Sequence, residues 1–142
     1  MQTRSVMFAL GYSGLLPFYA AALWLLWPDA SGKPLAASVF VVYGTVILAF
    51  LGGTVWGYAV TISPPEKYQR LVVSNLAALF AAIAGLAGSA LLACLLLAIG
   101  QLALLAYERA HGDVRGWYLR FRTRLVMGVL PAHGLFAWGI SR

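Results

Sequence analysis

The chain has only four carboxylates in 142 residues: Asp29, Glu66, Glu108 and Asp113. Acid–base enzymes place a carboxylate or histidine at the reacting proton, so this scarcity argues against most of them. A single cysteine, Cys94, excludes a disulfide framework and any multi-cysteine metal site. The two histidines, His111 in a polar connection and His133 in an apolar stretch, do not give one subunit a bis-histidine haem within a membrane. No P-loop, strand-borne GxGxxG or HExxH occurs, and Ser-His-Asp chemistry lacks a buried carboxylate. Charged residues make up 10% of the chain, against about 25% in soluble domains. A soluble or disordered chain is therefore excluded.

What fills the sequence is apolar. Apolar residues reach 62%, against roughly 45–50% in soluble domains. A globule of this length cannot hide that much apolar surface from water. The net charge is +6, and the basic residues flank apolar runs. Phospholipid headgroups and topology control explain that placement, so no nucleic-acid partner is expected.

A hydrocarbon core of about 30 Å takes roughly 20 helical residues to cross. The first span is read from Val6 to Trp27 and the second from Leu35 to Ile62, stopped by Ser63-Pro64-Pro65. An uncharged stretch from Leu71 to Ala106 would make a single helix of about 54 Å, too long for one crossing. Gly85, Gly88 and Ser89 at its middle predict a turn, giving spans over 71–87 and 89–106. The last span runs over 121–140, and 108–120 is a connecting loop. The expected fold is an all-α, single-domain membrane bundle of five helices. The first span is expected to be a retained helix, because apolar sequence resumes at Leu23 after Ala20-Ala21-Ala22, unlike a signal sequence.

Five spans place Arg4, Lys67, Arg70, Arg109, Arg115, Arg120, Arg122 and Arg124 on one side, and only Lys33 and Arg142 on the other. The positive-inside rule then puts the amino terminus in the cytoplasm and the carboxyl terminus in the periplasm. No Asp, Glu or Lys falls inside a span, which argues against an ion pump or ion-coupled transporter.

Three features are candidate sites. Ala49, Gly53 and Gly57 recur every fourth residue on the second span, with Gly52 alongside. Such a strip lets a neighbouring backbone come close, within one subunit or across a dimer, or it floors a flat ligand. On this reading a leucine at Gly53 disturbs packing more than an alanine at Leu51. Arg120, Arg122 and Arg124 follow Trp117-Tyr118. Arg120 and Arg124 lie one turn apart, and the cluster either anchors the helix or holds anionic headgroups. Glu108 and Asp113 are available to pair with some of these arginines. His133 lies about 13 Å along the helix beyond Arg124, near the membrane midplane, where it should be neutral. Its expected role is a hydrogen bond to Tyr43 or Thr45, or contact with a ligand. Pro131 should free the Met127 carbonyl beside it. With Trp56, these residues outline an aromatic-sided pocket of Tyr43, Gly53, Trp56, Gly57 and His133. Asn75 and Gln101 are expected to bond across helices.

Leu10-Gly-Tyr-Ser-Gly-Leu-Leu-Pro-Phe18, Tyr43-Gly-Thr-Val-Ile-Leu-Ala-Phe-Leu-Gly-Gly-Thr-Val-Trp-Gly57 and Trp117-Tyr-Leu-Arg-Phe-Arg122 resemble domain-of-unknown-function family 3429. That resemblance implies a small multi-pass protein of bacterial inner membranes, with a mitochondrial relative, and carries no reaction. In size, span count and aromatics the chain is also similar to the translocator protein (tryptophan-rich sensory protein) family, which implies a tetrapyrrole- or sterol-accepting pocket. It lacks that family's proline- and tryptophan-rich signature leading into the second span. The expected function is non-enzymatic: binding a flat apolar or amphipathic ligand, of lipid or tetrapyrrole type. The alternative is a structural or assembly subunit of a larger membrane complex. Membrane lipids and a homodimer or larger assembly are the expected partners; the sequence assigns no cofactor.

Overall fold

The computed structural model describes residues 3–28, 30–111 and 116–142. Asp29, Asp113 and Arg115, which enter the sequence reading, lie outside the described residues. Every regular element among those described is helical. The chain runs through α1 (Thr3–Ser13), α2 (Leu16–Leu25), a single 3-10 turn at Ala30–Gly32, α3 (Lys33–Ala59), α4 (Glu66–Gly85), α5 (Ala90–Ala110) and α6 (Gly116–Ile140). Taking α1 and α2 as one interrupted rod gives a bundle of five. Four rods, Thr3–Leu25, α3, α4 and α5, are long and apolar enough to cross a membrane. The fifth, α6, has 25 residues, with its arginines in the first turns and no charge from Leu125 to Ile140.

The first span is broken rather than continuous. Pro17 has no N–H to bond back to Ser13, and it sits in the opening turn of α2, where a missing donor does no harm. The Gly14 carbonyl released by the break accepts a hydrogen bond from the Tyr43 hydroxyl of α3 at 2.9 Å. Between α4 and α5 the chain reverses through Gly88, whose φ of +70° suits glycine. Ser89 then caps α5 by accepting from the Leu92 N–H at 3.4 Å.

Three helices outrun their expected ends. α4 takes in Arg70, α5 takes in Glu108, and α6 begins at Gly116 and takes in all three of its arginines. Of the charged side chains at those ends, Arg70, Glu108 and Arg122 find partners inside the bundle.

α3 packs against α2, α4 and α5, while α6 closes the far side against α2 and α5. One core layer joins Phe18, Phe40 and Phe136, with the Phe40 and Phe136 rings stacked 4.0 Å apart. A second joins Leu48, Leu51 and Val55 to Ala81 and Ala84 of α4 and Leu97 and Leu104 of α5. The outer surface is apolar too: Leu10, Phe50, Ile83 and Leu86 are all exposed. Burying apolar area gains little when lipid is the solvent, so close approach of backbones carries the packing.

The close approach falls on a different glycine from the one expected. A Cβ at Gly52 would lie 2.9 Å from the Ser74 carbonyl oxygen and 3.1 Å from the Ala77 Cβ, whereas one at Gly53 or Gly57 would meet nothing within 4 Å among the described residues. Consecutive residues are about 100° apart around a helix. When Gly52 faces α4, the Gly53/Gly57 strip must face outward. Ala49 stays partly buried against the second core layer. The expected order of sensitivity therefore reverses. Gly52→Leu should lower the detergent melting temperature, at about 1–3 kcal/mol of overpacking, while Gly53→Leu leaves it nearly unchanged. Equal melting of the two variants would contradict this packing.

Candidate functional site

Three charged side chains continue the buried stripes of three helices. On α5 the inward positions Cys94, Leu97, Gln101 and Leu104 lead to Glu108. On α6 Arg122 is in phase with Val126, Val129, His133 and Phe136. On α4 Arg70 precedes Ser74, Ala81 and Ala84. Helical periodicity turns each of them into the bundle.

Glu108 and Arg122 pair there. Arg122 Nε donates to Glu108 Oε2 at 3.2 Å, and Nη2 lies 3.1 Å from the same oxygen. The Nη2 approach is an ion-pair contact off hydrogen-bond geometry. Both side chains are 4% exposed or less. Arg70, 3% exposed, donates from Nη2 to the His111 carbonyl at 2.7 Å, and its guanidinium lies over the Tyr58 ring at 4.8 Å. It thus supplies a cation to the carbonyl end of α5, where the helix dipole is negative. His111 Nδ1 lies 3.0 Å from the Tyr107 carbonyl, and its Nε2 lies 3.2 Å from Gln69 Nε2. Both contacts fit a neutral ring that donates from Nδ1 and accepts at Nε2.

This polar cluster borders a two-chambered cavity. α1 has no buried residue and touches the bundle chiefly through α6, where Phe8 and Tyr12 meet Phe121 edge-on. The gap between α1, α3 and α6 holds an apolar chamber of about 380 Å³, walled by residues such as Leu10, Phe18, Leu51 and Val126. Gln101, 2% exposed, lines this chamber, and its Nε2 finds no hydrogen-bond partner among the described residues. Arg122 lines it as well. A second chamber of about 410 Å³ is bordered by Tyr58, Arg70, Glu108 and Trp117. Met7, Thr54 and Tyr118 line both, so the chambers adjoin. Their sizes fall in the usual range for small-molecule sites, about 300–1,000 Å³.

The residues expected to form a pocket do not assemble into one. Tyr43 and His133 both lie against Phe18, with ring centroids 5.0 and 5.4 Å away, inside the aromatic core. Trp56 is 45% exposed, and Gly53 and Gly57 open outward. His133 bonds neither Tyr43 nor Thr45. Its Nδ1 lies 3.1 Å from the Val129 carbonyl one turn back, its Nε2 has no partner among the described residues, and it lines neither chamber. Thr45 instead donates to the Val41 carbonyl of its own helix at 2.9 Å. Near Pro131, the carbonyl that gains an outside donor is Gly128, which accepts from the Tyr19 hydroxyl at 2.7 Å. Asn75 donates to the Leu71 carbonyl of its own helix at 2.8 Å rather than across helices. Of the three arginines, Arg120 and Arg124 are exposed, whereas Arg122 is an internal ion-pair partner and not an outward headgroup ligand. Missing from the sequence reading were Arg70, Glu108 as a buried group, and Gln101 as a cavity group. The signal was present: each lies in phase with its helix's apolar stripe.

The family model described as "Protein of unknown function (DUF3429)" matches residues 3–138, and the chain belongs to that family. It is also similar to transmembrane protein 69 of Xenopus tropicalis, 40% identical over 77 residues. That match covers 53% of this chain, which spans 30% of the relative's length. With the apolar rods, these relationships identify a multi-pass integral membrane protein. No solved structure matches the chain, so the likeness to the translocator protein family carries no argument.

The ion pair predicts a specific mutational pattern. Arg122→Met strands a buried carboxylate and should destabilise the protein by about 3–5 kcal/mol in detergent unfolding. Adding Glu108→Leu should restore stability to within about 1 kcal/mol of wild type. A double variant no better than the single one would show that the pair is not the relevant interaction.

Proposed function

We propose that this DUF3429 family member is a non-enzymatic binding protein that holds an amphipathic molecule in the paired chambers. The observation that carries the reading is the junction of an apolar chamber, lined by Gln101 whose Nε2 has no partner among the described residues, with a chamber bordered by Arg70 and Glu108. Apolar walls with a few convergent polar groups characterise small-molecule sites. The site is not the flat glycine floor expected between the second and fifth spans. It lies toward the arginine-rich end, between the interrupted first rod, α3, α5 and α6.

The protein resides in a bacterial inner membrane, with the amino terminus cytoplasmic and the carboxyl terminus periplasmic. Contacts among Arg4, Arg70, Arg122 and the ends of α3, α5 and α6 gather the basic residues at one end, which supports this orientation. Membrane lipids are its immediate partners, and no nucleic acid is involved. A second reading, assembly with a second copy or a larger membrane complex, draws on the outward Gly53/Gly57 face beside exposed Trp56.

Thr54 lines both chambers, and a phenyl ring at that position would obstruct their junction. Wild-type protein purified in a mild detergent should carry an amphiphile detectable by native mass spectrometry, and Thr54→Phe should lose it while melting normally. Full retention by Thr54→Phe would remove the molecule from these chambers. Reporter fusions at residues 2 and 142 should report opposite sides of the membrane; the same side for both would refute the orientation.

A further inference from the structure

The charge and donor inventory of the polar chamber constrains its occupant. Arg70 and Arg122 contribute two guanidinium groups, and Glu108 contributes the one carboxylate among the described residues that line the chambers. Glu108 is engaged by Arg122, leaving one positive charge in excess. Arg70 has a carbonyl and an aromatic face as partners, neither of which is an anion. At the rim, Arg4 lies 5.0 Å over the Trp117 ring and adds a second cation. An uncompensated buried cation is expensive in low dielectric, and an entering anion relieves that penalty.

The unpartnered donor agrees. Trp117 lines the polar chamber, and its buried Nε1 has no acceptor among the described residues. An indole nitrogen only donates, so the missing group is an acceptor. Thr54 already spends its proton on the Leu51 carbonyl at 2.7 Å. Carboxylates and phosphodiesters supply several acceptor oxygens and one negative charge, and guanidinium binds both well. A choline or ethanolamine group would bring a cation toward Arg70 and Arg4.

We infer that the bound amphiphile carries a headgroup of net charge −1, its anionic acceptor oxygens placed between Arg70 and Trp117, with its apolar chain in the chamber lined by Gln101. This inference rests on the binding function proposed above and specifies its ligand class. A fatty carboxylate and an anionic phospholipid share the required chemistry.

The test is native mass spectrometry of the full chain in neutral maltoside detergent, titrated with two matched pairs. One pair is palmitate and palmityl alcohol; the other is phosphatidylglycerol and phosphatidylcholine with identical chains. In at least one pair, the anionic member should bind roughly tenfold tighter than its partner. Preference in the first pair alone identifies a fatty acid, and in the second alone a phospholipid. Arg70→Gln should narrow the preference to less than about threefold, and Thr54→Phe should abolish it. If Arg70→Gln does not fold, the wild-type pairs and Thr54→Phe still decide the matter. Equal binding of charged and uncharged members overturns the inference and leaves the binding function standing. No binding by any of the four overturns both. An anionic preference that survives Thr54→Phe assigns it to exposed Arg120 and Arg124 and overturns the inference.

Discussion

The Glu108–Arg122 pair is the contact on which the arginine-rich end of the bundle depends. It joins α5 to α6 at a level where both helices would otherwise expose charge to an apolar surround. Ionised groups tolerate such burial when paired and hydrogen-bonded, and removing one partner is far worse than removing both. Arg70 extends the arrangement by capping α5 from α4, so three helix ends are tied together by polar contacts. Elsewhere most of the packing is apolar against apolar, with lipid as an equally apolar competitor. These polar ties therefore supply direction that hydrophobic burial cannot supply in a membrane.

A second set of ties comes from phenols. Tyr43 reaches the carbonyl released where the first rod breaks, and Tyr19 reaches the Gly128 carbonyl on α6. Each joins a side chain on one helix to backbone on another, and each lies next to a proline-containing segment. The break lies beside the apolar chamber: α1 has no buried residue, and the chamber is lined by α1, α3 and α6 and reaches Arg122 of the ion pair.

The two chambers join surfaces of opposite character. Phe18, Leu51 and Val126 are suited to hydrocarbon, while Arg70, Glu108 and Trp117 are suited to a hydrated or charged group. Such a sequence of environments follows the depth profile of a bilayer, and an amphiphile could occupy it without reorienting.

The membrane class, the helical architecture and the family were legible from composition, span length and three motifs, because lipid imposes length and apolarity on any crossing segment. The arginine cluster was legible as a cluster, but its division was not. Arg122 turns inward while Arg120 and Arg124 turn outward, and helical phase alone contained that distinction. The glycine strip misled because a four-residue repeat identifies a face without saying what the face meets. Gly52 rather than Gly53 meets α4, and that depends on how α3 is rotated in the bundle. His133 and Tyr43 were correctly singled out as polar groups in apolar surroundings, yet both are absorbed by the aromatic core and neighbouring carbonyls. The sequence by itself determined which segments lie in the membrane and which end carries the charge. The tertiary structure alone decided which of those charges are buried and where the cavity opens, because both depend on helix rotation. That rotation is set by contacts between residues far apart in the chain.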